Sequence, residues 1–352
     1  MMKYSWFVIL IGLSLPAFSQ QKLQSKSDFI VANGQMPALA KDKYNTLHLV
    51  YGSGDSILYS QSADKGNTFT IPALISVIPH VYTFATRGPQ IASTKSGIVV
   101  TACTSSGIIY SFCKNGNGKW IQSQKVTDID STAKEGLMSL SADGDNVYAV
   151  WLDLRGNQRN KIYSAKSSDG GKSWSKNIKV YSSPDTTVCE CCKPSVVVKG
   201  NNVYVMFRNW LKGSRDLYII QSSDGGDHFT QAQKLGAGTW KLNGCPMDGG
   251  GLAVDKNGTV QTVWRRENKI YSATPGTTEK EVGEGKGCTI ETVNGNNVYA
   301  WTDKEDVVIM NQEGTKEIVG KGRQPIIKAL DDQHIICIWE NEKQIHASIE
   351  QL

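Results

Sequence analysis

The sequence lacks long hydrophobic runs and is poor in proline, with 10 prolines among 352 residues. Its composition of 39% hydrophobic and 20% charged residues is too apolar for a disordered chain and too polar for a membrane bundle. The apolar run at residues 6–15 has about half of the roughly 20 residues that a membrane-spanning helix needs. We therefore expect no membrane span.

Motifs for nucleotides and nucleic acids are also missing. The chain contains no phosphate-binding glycine loop, no dinucleotide fingerprint and no basic stripe with interleaved aromatic residues. Its five histidines show no metal-ligand spacing, and no segment has convincing helical periodicity. These absences speak against nucleotide chemistry, nucleic-acid binding and a helical fold.

Residues 1–19 have the pattern of a secretory signal peptide. Lys3 precedes the apolar run, and a small-x-small cleavage site ends at Ser19. We expect cleavage after Ser19, which leaves residues 20–352 as a single domain that is secreted or periplasmic. In such an oxidising compartment, cysteines pair unless something else holds them.

One pattern of alternating strands and Gly-rich turns recurs seven times along the chain. A strand rich in β-branched and aromatic residues, often ending in Trp, occurs at residues 47–51, 98–102, 147–151, 203–207, 260–264, 298–301 and 335–339. A period of about 40 to 55 residues with several strands per unit is typical of a β-propeller. We predict an all-β, seven-bladed propeller, with six blades as the alternative and two stacked sandwiches as a weaker one.

The first and last units together indicate how the ring closes. The last unit supplies three strands, at residues 325–329, 334–339 and 344–349, and a spare strand at 28–32 precedes the first unit. We predict that this N-terminal strand completes the last blade, which removes two exposed sheet edges.

Three units carry the turn Ser-x-Asp-x-Gly-x-x-aromatic. Its members are Ser62, Asp64, Gly66 and Phe69, then Ser167, Asp169, Gly171 and Trp174, then Ser222, Asp224, Gly226 and Phe229. In such a turn the Asp accepts backbone amides, the Gly takes a positive φ and the aromatic ring packs over the hairpin.

These turns resemble the Asp-box (BNR) repeat of the sialidase-like β-propellers, and the resemblance covers essentially the whole mature chain. It implies secretion, a propeller of six or more blades and, in true sialidases, an arginine triad that grips the carboxylate of the sugar. The same turn occurs in secreted propellers with other activities or none, so it indicates the fold more than the chemistry.

All eight arginines map to one end of the predicted propeller, the end formed by the D-to-A and B-to-C connections between strands. They are Arg87, Arg155, Arg159, Arg208, Arg215, Arg265, Arg266 and Arg323. Because guanidinium groups grip carboxylates and sulfates in a bidentate manner, we predict an anion-binding face. The predicted ligand-binding residues are Arg87, Arg208, Arg266, Arg323 and Asp248. The alternative is that the arginines only pair with carboxylates of the loops.

A sialidase-like mechanism would require a tyrosine nucleophile activated by a glutamate, and an acid/base aspartate. The residues of these types on the predicted face include Tyr82, Glu135, Glu190, Asp153 and Asp248. Nothing in their spacing pairs a tyrosine with a glutamate. Catalytic residues therefore stay unassigned, and exo-sialidase activity stays an open question.

Five of the eight cysteines lie at the D-to-A connections of three consecutive blades, where we expect them to be neighbours. They are Cys189, Cys191, Cys192, Cys245 and Cys288. One interpretation is disulfides, for instance Cys192 with Cys245 and Cys189 with Cys288. The other is a soft-metal site for copper or zinc. An odd number of thiols leaves at least one reactive or metal-bound sulfur.

The sequence thus favours an exported propeller that recognises, and if active hydrolyses, an anionic sugar or another carboxylate-bearing ligand. The alternative is a non-catalytic propeller with a cysteine-based copper or zinc site, or a disulfide-stapled site, that binds a partner protein.

Overall fold

A computed structural model describes residues 28–114 and 117–352, which form 28 β-strands. The predicted signal peptide, residues 1–19, lies outside the described residues. No helix in the described ranges has the length and hydrophobicity needed to cross a bilayer.

The strands form seven antiparallel four-stranded sheets, numbered here as blades 1 to 7. Blade 1 has β2 (Gln35–Lys41), β3 (Leu47–Ser53), β4 (Ser56–Ser62) and β5 (Ala73–Val77). Blade 2 has β6 (Gln90–Ser93), β7 (Ile98–Cys103), β8 (Ile109–Lys114) and β9 (Trp120–Gln122). Blade 3 has β10 (Met138–Asp143), β11 (Asn146–Asp153), β12 (Lys161–Ser167) and β13 (Ile178–Tyr181). Blade 4 has β14 (Ser195–Lys199), β15 (Asn202–Leu211), β16 (Ser214–Ser222) and β17 (Gln233–Lys234).

The remaining three blades complete the set. Blade 5 has β18 (Gly251–Val254), β19 (Val260–Arg266), β20 (Lys269–Ala273) and β21 (Lys280–Glu284). Blade 6 has β22 (Lys286–Val293), β23 (Asn296–Asp303), β24 (Asp306–Met310) and β25 (Lys316–Lys321). Blade 7 has β26 (Arg323–Ala329), β27 (His334–Asn341), β28 (Gln344–Gln351) and, from the start of the chain, β1 (Phe29–Asn33). The innermost strands of consecutive blades touch all the way round, from β2 with β6 to β26 with β2. The seven-bladed propeller is confirmed, and the six-bladed alternative is wrong.

The N-terminal strand closes the ring as predicted. In β1, Phe29 lies opposite Ala347 and Ile30 opposite His346, both in β28, in antiparallel register. Strands from the two ends of the described chain therefore hydrogen-bond within one sheet, so a single sheet locks both ends.

In the described residues, seven clusters of buried apolar side chains are each shared by two consecutive blades, and Cys189, Cys191 and Cys192 form a small eighth cluster. Strand β11 shows the cause, because its side chains alternate between two neighbours. Val147, Ala149 and Trp151 pack towards blade 2, whereas Val150 and Leu152 pack towards blade 4. A strand buried on both faces needs apolar residues at nearly every position, which explains the continuous hydrophobic runs.

The Ser-x-Asp-x-Gly turns lie between the third and fourth strands of their blades. In blade 1, Ser62 Oγ donates to Asp64 Oδ1 (2.7 Å) and accepts from the amide of Gly66 (2.8 Å). Asp64 also accepts from the amide (3.0 Å) and the hydroxyl (2.6 Å) of Thr68, and these hydrogen bonds lower its pKa to about 2. The turns of blades 3 and 4 have the same core bonds.

Each of these turns also packs on the preceding blade. Gly171 has φ +87°, and a Cβ there would overlap the side chain of Val99 in blade 2. In the same way Gly66 faces Ile336 of blade 7 and Gly226 faces Tyr148 of blade 3. The glycine therefore serves two needs, a left-handed backbone and close contact between blades.

We predict that Gly171→Ala destabilises the protein more than Gly144→Ala. Both glycines have positive φ, but an added Cβ at Gly144 meets no atom within 4 Å. The backbone cost at Gly144 is about 1 kcal/mol, and the clash at Gly171 adds about 1 to 3 kcal/mol. Urea unfolding of both variants measures the difference, and equal losses would show that the turn does not dock tightly on its neighbour.

Candidate functional site

A funnel runs down the axis of the propeller from the end at which the chain enters the innermost strands. Its inner part, here called the axial pocket, has a volume of about 230 Å³ and is lined by the starts of innermost strands. Its outer part, the mouth pocket, has a volume of about 880 Å³. The two are continuous, because both are lined by Thr86, Met247, Gly287 and Gln324.

Strained backbone surrounds this funnel. Met36, Thr86, Met247 and Gln324 all have positive φ, between 51° and 69°, and each lies at or just before an innermost strand. Left-handed conformations of residues other than glycine are unfavourable, most of all for a β-branched residue such as Thr86, and they cluster at functional sites. The buried Oγ1 of Thr86 has no hydrogen-bond partner in the described parts of the chain.

The axial pocket holds a lysine, Lys193, whose ammonium group donates to a side-chain amide. Lys193 Nζ donates to Gln90 Oε1 across the channel from blade 4 to blade 2, at 2.9 Å. Within the described ranges, Lys193 makes no ion pair, and burial lowers its pKa to about 8. Sequence reasoning missed Lys193, although its place directly after the cysteine motif at a D-to-A connection was a usable signal.

The mouth pocket carries more cationic than acidic side chains. The cations are Arg265, Lys286, Lys304, Lys321 and Arg323, and the acids are Glu305, Glu340 and Glu342. Lys321 lies 3.7 Å from Glu305, and Arg323 lies 2.7 Å from Glu340. Among residues 28–114 and 117–352, neither Lys286 nor Lys304 forms an ion pair. The net charge of the mouth is therefore positive.

Arg208, one of the predicted ligand-binding residues, is fully buried and bound by backbone carbonyls. Its guanidinium donates to the carbonyl oxygens of Asp248 (3.0 Å), Arg215 (2.7 Å) and Arg265 (2.9 Å). These bonds join blades 4 and 5. Because one buried side chain binds main-chain carbonyls of both blades, Arg208 is a clamp between them.

The other three predicted arginines pair with carboxylates and do not share one pocket. Arg266 contacts Glu279 at 2.6 Å, and its guanidinium lies 4.0 Å from the centre of the Tyr271 ring. Arg87 lies 3.6 Å from Glu135, and Arg323 lies 2.7 Å from Glu340. Of the four arginines, Arg323 is the one that lines the funnel. Asp248, the fifth predicted residue, lines the axial pocket and accepts from the amide of Gly287 at 3.0 Å.

The structure brings one tyrosine and one glutamate of the predicted face together. The guanidinium of Arg87 lies 5.8 Å from the centre of the Tyr82 ring and 3.6 Å from Glu135. The hydroxyl of Tyr82 donates to the carbonyl of Lys134 at 2.8 Å, and burial raises its pKa. A nucleophilic phenolate needs a lowered pKa, so this arrangement favours a neutral phenol.

Four of the five clustered cysteines are neighbours, and their pairing differs from the predicted example. Cys191 and Cys245 form a disulfide with a Cα–Cα distance of 6.2 Å, which joins the starts of blades 4 and 5. The proposed pairs of Cys192 with Cys245 and of Cys189 with Cys288 are wrong. The side chain of Cys288 instead packs in the core between blades 5 and 6.

Two free thiols lie next to this disulfide. Cys189 Sγ is 3.3 Å from Cys192 Sγ and 3.8 Å from Cys191 Sγ. A hydrogen bond from Cys192, together with the charges of Arg215 and Arg208, lowers the pKa of Cys189 to about 6, against the effect of burial. Burial raises the pKa of Cys192. The sulfurs of Cys189, Cys191 and Cys192 lie within 4.8 Å of one another, a spacing that can hold a metal ion.

Comparisons with known proteins support the fold. No protein-family model matches the sequence, and no curated protein does. An α-L-arabinanase from Penicillium chrysogenum in complex with arabinobiose is similar, with a TM-score of 0.56 and 12% identity over 93% of this chain and 98% of that one. A PL25 ulvan lyase bound to -[GlcA(1-4)Rha3S]- has a TM-score of 0.58 and 11% identity over 92% of this chain and 94% of that one.

The NanB sialidase of Streptococcus pneumoniae matches with a lower TM-score of 0.48 and 12% identity, over 97% of this chain and 71% of that one. At identities of this size, the similarity of the arabinanase and the lyase shows a shared propeller fold and leaves the activity open.

We predict that Arg208→Met reduces stability by about 3 to 5 kcal/mol, because it removes three charge-assisted hydrogen bonds to main-chain carbonyls from a buried site. Arg159→Met is the control, since Arg159 is exposed on a loop of the same face, and its loss should cost less than about 0.5 kcal/mol. Chemical unfolding of both variants measures this. A stable Arg208→Met variant that loses only ligand affinity would contradict the assignment of Arg208 as a clamp.

Proposed function

We propose that this protein is an exported β-propeller that recognises an anionic saccharide, or another carboxylate-bearing ligand, in its axial funnel. The observation that carries the proposal is the position of Lys193. This ammonium group lies in the axial pocket beside an amide oxygen and makes no ion pair within the described ranges. A positive charge that is held by protein and makes no ion pair can attract an anion, while Asp248 in the same lining is engaged by the amide of Gly287.

The rest of the funnel suits the same ligand. Lys286 and Lys304 at the mouth attract anions from solution, and Arg323 adds a guanidinium at the rim. The carboxylate or sulfate of a sugar can then reach Lys193, which Gln90 holds in place across the channel. The unpaired hydroxyl of Thr86 provides a further hydrogen bond to a sugar oxygen.

A structure of similar fold supports the choice of ligand class. The ulvan lyase was captured with a saccharide that contains GlcA and Rha3S, which are a uronate and a sulfated sugar. The similarity of fold suggests a saccharide as the ligand of this funnel. The proposal that the saccharide is anionic depends on Lys193 and on the lysines of the mouth pocket.

The proposed function is recognition without sialidase-type hydrolysis. Tyr82 donates its hydroxyl proton to a carbonyl, and Glu135 is engaged by Arg87. Neither residue lines the axial or the mouth pocket. Turnover of a fluorogenic sialoside by the wild-type protein, abolished in Tyr82→Phe, would overturn this part of the proposal.

Binding of defined saccharides tests the proposal. We expect 3′-sialyllactose or a glucuronate-containing oligosaccharide to bind in calorimetry, more weakly as salt increases, and neutral lactose not to bind. Lys193→Gln should weaken binding by about tenfold or more, which is the loss expected for one charge-assisted hydrogen bond. The control is Lys172→Gln, which removes the same charge from a turn on the opposite face. Equal affinities of wild type and Lys193→Gln would refute the site.

The alternative function is a copper or zinc site at the cysteine cluster that also serves a protein partner. The close spacing of Cys189, Cys191 and Cys192 favours it. It requires reduction of the Cys191–Cys245 disulfide, because the ligand of such metals is the thiolate. Metal analysis of protein purified without reductant decides: about one copper or zinc ion per chain supports the site, and none removes it.

A further inference from the structure

The four neighbouring cysteines differ in their access to solvent. Cys189, Cys191 and Cys192 are buried, whereas Cys245 is exposed and lines the mouth pocket. The Cys191–Cys245 disulfide therefore joins one inner and one outer sulfur, with two free thiols directly behind the inner one. The distance from Cys189 Sγ to Cys191 Sγ is 3.8 Å, and from Cys189 Sγ to Cys192 Sγ it is 3.3 Å.

We propose that Cys189, Cys191, Cys192 and Cys245 form a thiol–disulfide exchange site, in which the disulfide moves between the surface pair Cys191–Cys245 and the buried pair Cys189–Cys192. The sulfur of Cys189 already lies next to both sulfurs with which it must form a bond, those of Cys191 and Cys192. This proposal does not depend on the saccharide site.

The exchange takes two steps that balance without an outside oxidant. In the first step, the Cys189 thiolate attacks Cys191 Sγ, so that a Cys189–Cys191 bond forms and the Cys191–Cys245 bond breaks. Cys245 leaves with the electron pair of the broken bond and takes a proton from water. In the second, the deprotonated Cys192 attacks Cys189 Sγ, a Cys189–Cys192 bond forms and Cys191 leaves as a thiolate. One disulfide and two thiols are present before and after.

Arg215 is the positioning residue of this site. Its Nη1 donates to Cys189 Sγ at 3.0 Å, its guanidinium lies 4.6 Å from the centre of the Trp210 ring, and Glu190 lies 3.8 Å away. A fixed cation beside the attacking sulfur stabilises negative charge there and orients the sulfur towards Cys191. The role of Arg215 is thus to prepare Cys189 without touching a substrate.

The exposure of Cys245 indicates which class of substrate the site can take. After the exchange, Cys245 is a surface thiol, and it can attack the disulfide of an exported protein or small molecule, which forms a mixed disulfide and releases one substrate thiolate. Cys191 then attacks the sulfur of Cys245, the Cys191–Cys245 bond forms again and the second substrate thiolate leaves. In sum, the dithiol of Cys189 and Cys192 is oxidised to a disulfide and the substrate disulfide is reduced to a dithiol.

Peptide mapping after trapping with N-ethylmaleimide tests the exchange in the full-length protein purified without reductant. Trypsin places Cys245 in the peptide of residues 242–256 and the other three cysteines in the peptide of residues 180–199. We expect the wild type to accumulate a maleimide-labelled 242–256 peptide over time, with a disulfide inside the 180–199 peptide. In Cys189→Ser the two peptides should stay linked, and labelling of Cys245 should fall by about tenfold or more.

Three further variants serve as controls for the loss of a thiol, for the second step and for the role of Arg215. Cys337→Ser removes a buried free thiol in β27 and should label like the wild type. Cys192→Ser should stop after the first step, with a Cys189–Cys191 disulfide and a labelled Cys245. Arg215→Gln should slow labelling by about tenfold, and this rate is informative even if Cys189→Ser fails to fold.

Two results would overturn the proposal. One is labelling of Cys245 at the wild-type rate in folded Cys189→Ser. The other is purified protein in which all four sulfurs are reduced and bound to a copper or zinc ion. Saccharide binding by the same samples reports separately on the funnel, so failure of one proposal does not imply failure of the other.

Discussion

The structure depends on one constraint: each blade has no core of its own, so both faces of every sheet must be buried by its neighbours. The seven clusters of apolar side chains all lie between blades, and the pairing of β1 with β28 makes the last interface possible. Without that pairing, blade 7 would lack its outer strand and present an unpaired sheet edge to solvent. The ring is therefore one cooperative unit, in which local motifs acquire their importance by docking on an adjacent blade.

The same constraint creates the funnel. Innermost strands of seven blades converge on the axis, and the connections that precede them must turn sharply to enter the channel. Met36, Thr86, Met247 and Gln324 take left-handed conformations there. Backbone strain of this kind persists only where the surrounding structure holds it in place, and the closed ring supplies that support. Polar groups such as Lys193 are consequently fixed around a small cavity, which a flexible loop could not do.

Two of the arginines stabilise the ring itself. Near the ends of strands, arginine side chains bind carbonyl groups and carboxylates. Arg208 satisfies three such carbonyls at once, and Arg266 neutralises Glu279 between aromatic and glycine neighbours. The long, planar guanidinium group can bridge two blades, whereas a lysine offers only a point charge. Arg208 and Arg266 therefore have structural roles, and the proposed recognition of an anion depends on the lysines of the funnel.

The sequence by itself determined the number of blades, the closure by the N-terminal strand and the position of the Ser-x-Asp-x-Gly turns. These features depend on alternation, period and turn chemistry, all of which are local along the chain. Only the tertiary structure decided that Cys245 pairs with Cys191, that Cys288 packs in a core and that Lys193 lies in the axial pocket beside Gln90. Those outcomes depend on distances between blades, and a repeat pattern carries no information about which side chains meet across the axis.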